Sequence, residues 1–174
     1  MRNFALPLTA FMSFGLVSTL HAADLKEKDA APVFKLKTQA DQLFDLSTRT
    51  GQWTVLYFYP KSGTPGCTKQ ACAFRDNIKK IRAEGAEVYG ISTNSVKDQA
   101  AFYAEHKLNF DLLADEDGKV GDSYGVQMMI TKMSKRWTFI IDPELKIAKI
   151  MKDVDPVIDS VKIADDIAAL KKAK

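Results

Sequence analysis

"WTVLYFYPKSGTPGCTKQACAF", residues 53–74, decides the fold. Its first seven residues form an unbroken apolar, aromatic and β-branched run, the pattern of a strand buried on both faces. Pro60 ends that strand, and "KSGTPG" is loop chemistry. From Cys67 to about Glu84 the period changes. Ala71, Phe74, Ile78 and Ile81 recur at helical spacing until Gly85 stops the helix.

Working outward, strands and helices alternate. "AEVYGIS" (86–92) reads as a strand, "VKDQAAFYAEHK" (96–107) as an amphipathic helix and "FDLLAD" (110–115) as a short strand. "DGKVGDSYGV" (117–126) reads as a turn and a short helix. "RWTFIID" (136–142) and "IAKIMKDV" (147–154) pair as a hairpin, and "PVIDSVKIADDIAALKKA" (156–173) closes the chain as a helix. Ahead of them, "VFKLK" (33–37) and "LFDLS" (43–47) alternate as a hairpin or as edge strands. A strand–helix–strand unit, then a hairpin and a closing helix, predicts an α/β, thioredoxin-like fold: a central mixed sheet flanked by helices, over residues 32–174.

The total of 174 residues suits one such domain. Net charge is only +3, with both signs interspersed, which gives no case for nucleic acid or an anionic membrane as a partner. The basic end "LKKAK" complements a helix dipole. Residues 1–22 differ from the rest. Arg2 is followed by "FALPLTAFMSFGLVSTL" and small residues, which reads as a secretory signal peptide. Pro7 interrupts the run, which is short for a span of about 20 apolar residues, so no stable membrane association is expected once it is cleaved. The expected location is outside the cytosol, in a bacterial periplasm. Residues 23–31, "ADLKEKDAA", read as a flexible mature start.

Cys67 and Cys72 are the only cysteines. Cys67 opens a helix, where unpaired N–H groups and the macrodipole stabilise an anion, and the thiolate is the reactive form of the side chain. Thr64, three residues ahead, carries a hydroxyl that a loop curling over the helix start would bring to the sulfur. In an intact helix the two thiols point about 140° apart, with Cα atoms about 8–9 Å apart, beyond disulfide reach. A pair at this spacing stays apart when reduced and bridges only if the first turns unwind. As a staple it would constrain little of the unfolded chain. A tetrahedral metal site is short of ligands: beyond the leader, His106 is the one histidine, expected on a solvated helix face. No glycine-rich nucleotide loop is present, so no cofactor and no metal are expected.

"FYPKSGTPGCTKQACAFRD" resembles the peroxiredoxins, thiol peroxidases with the motif P-x-x-x-T-x-x-C, met here by Pro60, Thr64 and Cys67. The second cysteine five residues on is similar to the bacterioferritin comigratory protein, or Q-type, branch. The branch's active-site arginine precedes a "TF" strand and maps to Arg136 in "KRWTFIID"; the resemblance runs over residues 30–172. It implies that Cys67 attacks a hydroperoxide, that Thr64 and the Cys67 amide hold the peroxide, that Arg136 stabilises the charge, and that Pro60 shields the thiolate. It further implies that Cys72 resolves the resulting sulfenic acid as a disulfide, that a thioredoxin-like dithiol reduces the bond, and that the protein is a monomer. Two departures stand out: Gln70 occupies a position where glutamate is common, and "QMMITKMSK" (127–135) replaces a glycine-rich, aromatic segment. Two rival readings use the same fold. One is a thiol–disulfide oxidoreductase or electron carrier, disfavoured by the absence of a C-x-x-C pair. The other is a redox-sensing or binding module whose switching helix is read by a partner.

Overall fold

Residues 53–58, the strand read first, are buried along their whole length because they occupy the interior of a seven-stranded sheet. The structure, a computed structural model, describes residues 24–173. The expected signal segment, residues 1–22, lies outside the described residues. The chain forms, in order, β1 (Lys35–Thr38), β2 (Leu43–Asp45), β3 (Trp53–Phe58), α1 (Pro65–Ala83), β4 (Ala86–Ser92), α2 (Val96–Glu105), β5 (Asp111–Ala114), α3 (Lys119–Ser123), β6 (Thr138–Ile141), β7 (Ile147–Met151) and α4 (Ile158–Lys172).

The sheet order is β2-β1-β5-β4-β3-β6-β7. β3, β4 and β5 run parallel, joined by α1 and α2, while β6 and β7 add antiparallel to β3. β1 and β2 form the expected hairpin on the opposite edge, antiparallel to β5. This is the mixed, thioredoxin-like sheet read from the sequence. Alternation along β3 divides the core. Val55 and Tyr57 face Phe74, Ile78 and Ile81 of α1, Phe102 of α2, and Ile163 and Ile167 of α4. Leu56 and Phe58 face the other way, toward Leu46, Val120 and Tyr124.

α1 begins two residues before Cys67 because Pro65 has the φ of a first helical residue and no N–H to leave unpaired. The Phe74 ring stacks on Tyr57 with centroids 4.6 Å apart, fixing α1 over β3. Gly90 in β4 makes room for that tyrosine: a Cβ there would lie 2.5 Å from Tyr57 Oη and 2.8 Å from Leu112.

Residues 26–31, expected as part of a flexible start, are instead tied along β7. Lys28 N donates to Ile147 O at 2.7 Å, Ile147 N to Asp29 O at 2.9 Å, and Ala31 N to Leu145 O at 2.8 Å. The physical reason is that β7 is an edge strand, and its free N–H and C=O groups capture the adjacent chain. Polar composition suggested freedom; the unpaired edge removes it.

Gly90→Ala should destabilise the fold by about 1–3 kcal/mol through overpacking against Tyr57, with no change in the denaturant dependence of unfolding. Urea unfolding followed by tryptophan fluorescence measures this; a neutral substitution would show that Tyr57 is free to move.

Candidate active site

The loop between β3 and α1 is clamped from below. Tyr59, 1% exposed, donates its hydroxyl to Gln99 Oε1 at 2.5 Å. Gln99 Nε2 in turn donates to Ser92 Oγ at 2.9 Å and Leu113 O at 3.2 Å. Ser62 Oγ lies 3.1 Å from Tyr59 Oη, and Ser62 N donates to Asn94 Oδ1 at 2.9 Å. Burial pushes the Tyr59 phenol up to about 12, so it remains a donor at any physiological pH. Gly63, at φ +79°, turns the chain above this clamp, and half-buried Pro60 leads into it. Tyr59, Ser62, Asn94 and Gln99 were not legible as site residues. Tyr59 reads as the last apolar residue of a strand, and its partners lie on separate elements.

Beyond the loop, Thr64 caps α1 in an extended conformation, and Cys67 falls in the first turn. The Thr64 hydroxyl does not join the sulfur. It donates to Lys61 O at 3.0 Å, closing the turn, and among the described residues no hydrogen bond links it to Cys67. Cys67 packs in the core cluster that includes Tyr57, Tyr59, Ala71 and Phe74, and it is only 1% exposed.

Arg136 arrives from the far side. β6 runs antiparallel to β3, with Tyr57 opposite Thr138 and Phe58 N donating to Trp137 O at 2.8 Å. The start of β6 therefore lies beside the end of β3, which is where α1 begins. Across this seam Arg136 Nη2 donates to Cys67 Sγ at 3.3 Å, and Nη1 donates to Gln70 Oε1 at 2.5 Å. Gln70 is itself 1% exposed, and its Nε2 has no hydrogen-bond partner. Among the described residues no carboxylate forms an ion pair with Arg136. Gly66 permits the close approach, since a Cβ there would sit 3.3 Å from Nη2. In the sequence Gln70 is visible only as a departure from the family pattern. The structure makes it the second partner of the guanidinium.

Cys72 lies on the same unbroken helix, half-buried, and both thiols are free. Helical geometry keeps them about 8–9 Å apart at Cα, as expected from their spacing. Past Cys72 the helix is fastened: Arg75 Nη1 donates to His106 O at 2.7 Å, Asn109 Nδ2 donates to Arg75 O at 3.1 Å, and Phe74 stacks on Tyr57. Half-buried His106, expected on a solvated face, packs edge-on against Phe102 at 4.8 Å, because it ends α2 where that helix turns back toward β5. The site thus joins a buried sulfur, a guanidinium and a neutral amide at a helix start, with a second thiol held out of range.

The profile of the AhpC/TSA family matches residues 28–150. The chain is 40% identical over 135 residues to the peroxiredoxin Bcp of Escherichia coli, covering 74% of this chain and 86% of that one. It is 43% identical over 121 residues to the chloroplastic peroxiredoxin Q of Sedum lineare, covering 69% and 65%. The crystal structure of peroxidoxin BcpB from Mycobacterium tuberculosis superposes with a TM-score of 0.77 at 33% identity, over 83% of this chain and 97% of that one. With a thiol and an arginine in contact at a helix start over a thioredoxin-like sheet, a second cysteine five residues on, and relatives of this kind along most of its length, the chain belongs to the AhpC/TSA family as a peroxiredoxin, a hydroperoxide-reducing enzyme similar to the Bcp and Q-type members.

Proposed function

We propose that the chain reduces hydrogen peroxide and organic hydroperoxides through a sulfenic acid at Cys67 and a Cys67–Cys72 disulfide, which a thioredoxin-like dithiol reduces. The observation that carries this reading is the 3.3 Å contact between Arg136 Nη2 and Cys67 Sγ. A permanent cation beside the sulfur meets the charge that grows on the leaving oxygen.

In the first step the Cys67 thiolate attacks one peroxide oxygen in line with the O–O bond. An S–O bond forms, the O–O bond breaks, sulfur loses two electrons to the peroxide, and the departing alkoxide or hydroxide takes a proton from water. In the second step Cys72 attacks the sulfenic sulfur. An S–S bond forms, the S–O bond breaks, and water leaves with the Cys72 proton. The helix must unwind at its start for the sulfurs to meet. The third step is attack by an external dithiol, which leaves both cysteines reduced. No other redox group is called for by this cycle.

Burial of Cys67 adds a constraint. Cys67 is 1% exposed while Lys61, Gly63 and Pro65 of the preceding loop face solvent, so we expect a peroxide to reach Sγ when this loop or the Arg136 side chain gives way. Half-buried Pro60 is assigned the shielding of the thiolate that the family motif implies. Thr64 acts as a ligand for the peroxide by exchanging its bond to Lys61 O for one to the substrate. We place the mature protein outside the cytosol, on the strength of residues 1–22, so its reductant receives electrons across the membrane, and we take it as a monomer from its resemblance to the Q-type branch.

Cys67→Ser should abolish peroxide consumption. Cys72→Ser should consume one equivalent and then stall or overoxidise, as read by a ferrous–xylenol orange peroxide assay and intact mass. Retention of full turnover by Cys67→Ser would sink the assignment. Arg136→Met should lower the second-order rate with peroxide by about 10²–10³-fold. Gly66→Ala should lower it by a smaller factor, because the new Cβ pushes Nη2 off the sulfur while the backbone there is not left-handed and tolerates alanine. Stopped-flow competition against a thiol of known rate ranks all three proteins; equal rates for Arg136→Met and wild type would show that the guanidinium contact is dispensable, and equal rates for Gly66→Ala that Nη2 shifts without leaving the sulfur.

A further inference from the structure

We propose that the hairpin of residues 127–135 is a reversible docking surface for an anionic membrane. Its tip holds two adjacent large apolar side chains almost wholly in water: Met129 is 96% exposed and Ile130 97%. The tip is built, not frayed. Gln127 and Ser134 form a β-bridge, Met128 N donates to Met133 O at 2.9 Å, Lys132 N donates to Met128 O at 3.0 Å, and Lys135 N donates to Val126 O at 2.7 Å. Lys132 adopts a left-handed φ of +52° within this turn. The backbone is paired, while the apolar side chains at its apex bury nothing within the chain. Contiguous apolar surface held out in this way marks a contact with another body.

Charge selects that body. Along the whole sequence both signs are interspersed and give no case for an anionic surface, but the fold gathers one sign around the tip. Residues 126–138 contain Lys132, Lys135 and Arg136 and no acid. Lys152 joins them from the end of β7, because Met151 pairs with Thr138 at the start of β6. The ammonium groups of Lys135 and Lys152 lie 5.0 and 4.5 Å from the centre of the Trp137 ring. Among the described residues Lys132, Lys135 and Lys152 form no ion pair. Exposed Val157 and Ile158 open α4 at this same end of the sheet, where β7 hands over to that helix. Asp155 beside them is taken up by their backbone amides at 2.8 and 2.9 Å.

A stable protein partner needs roughly 800 Å² of shape-matched surface on each side, more than a convex tip of two residues offers. A bilayer needs no matched shape. Met129 and Ile130 enter the boundary between headgroups and acyl chains, and the lysines around them reach anionic headgroups. Trp137, an apolar ring flanked by two cations, sits at headgroup level. Arg136 follows the hairpin directly and touches Cys67 Sγ at 3.3 Å, so docking sets that sulfur's surroundings against the lipid surface. The docking does not depend on the redox cycle proposed above.

The test floats residues 23–174, which hold the whole described fold and lack the apolar leader, with vesicles of phosphatidylcholine alone or mixed equally with phosphatidylglycerol. Wild type should bind the anionic vesicles about tenfold more tightly than the neutral ones and leave them in high salt. Its tryptophan emission should shift to the blue on binding through Trp137, since Trp53 is already 6% exposed. The double variant Met129→Ser, Ile130→Ser should bind about tenfold more weakly, and Lys132→Gln with Lys152→Gln about as weakly. Consumption of hydrogen peroxide in free solution should be the same in all three proteins, which shows that the variants are folded. Equal binding to neutral and anionic vesicles, or undiminished binding by the Met129, Ile130 variant, overturns the docking. So does a wild type that binds neither vesicle while the same variant loses turnover with a thioredoxin as reductant, which would assign the face to a protein. Failure of Cys67 to react with peroxide overturns the redox cycle and leaves the vesicle result to decide the docking alone.

Discussion

The guanidinium of Arg136 spans the seam between β3 and β6, and the remainder of the site is arranged around that span. One end of the contact is a sulfur in the first turn of a helix that follows β3. The other is a side chain from the residue that leads into β6. Antiparallel pairing of the two strands puts these ends side by side, so 69 residues of sequence separation collapse to 3.3 Å. Remove the pairing and the two groups no longer meet. Arg136 would be a surface arginine, and Cys67 a small buried side chain.

Fixity and release compete within α1. The loop between β3 and α1 is clamped by Tyr59, Gln99, Ser62 and Asn94, and the distal part of α1 is fastened through Phe74 and Arg75. Between those anchors the helix start depends on Arg136 for its polar tie to β6. A helix held firmly at its middle and by one cation at its beginning can fray locally without losing the domain, since the core behind Ile78 and Ile81 is untouched. The five-residue spacing of the cysteines suits this division: it exceeds disulfide reach in the helix and falls within reach once the turns between them open.

Gln70 changes the electrostatics of that single tie. A carboxylate would share the guanidinium with the sulfur permanently; an amide accepts the hydrogen bond without neutralising the charge. Arg136 therefore meets a sulfur and a neutral amide, with no carboxylate paired to it among the described residues.

Periods in the sequence determined the elements. The solid apolar run of 53–59 could only be a central strand, and its helical successor and the alternating segments around it required a mixed sheet with covering helices, as found. Motif spacing marked Cys67 as the candidate nucleophile and its distance from the second thiol, and the family resemblance marked Arg136, which the structure places against that sulfur. Tertiary structure decided what depends on partners remote in sequence. The Thr64 hydroxyl turned to a carbonyl three residues back, because a nearby acceptor was already in place. Residues 26–31 were captured by the open edge of β7, which no local pattern announces. Gln70 and Tyr59 became site residues because a side chain from another strand or helix ends against each of them. Local composition sets which structure a segment prefers, whereas charge pairing and the satisfaction of buried polar atoms are settled only when distant segments meet.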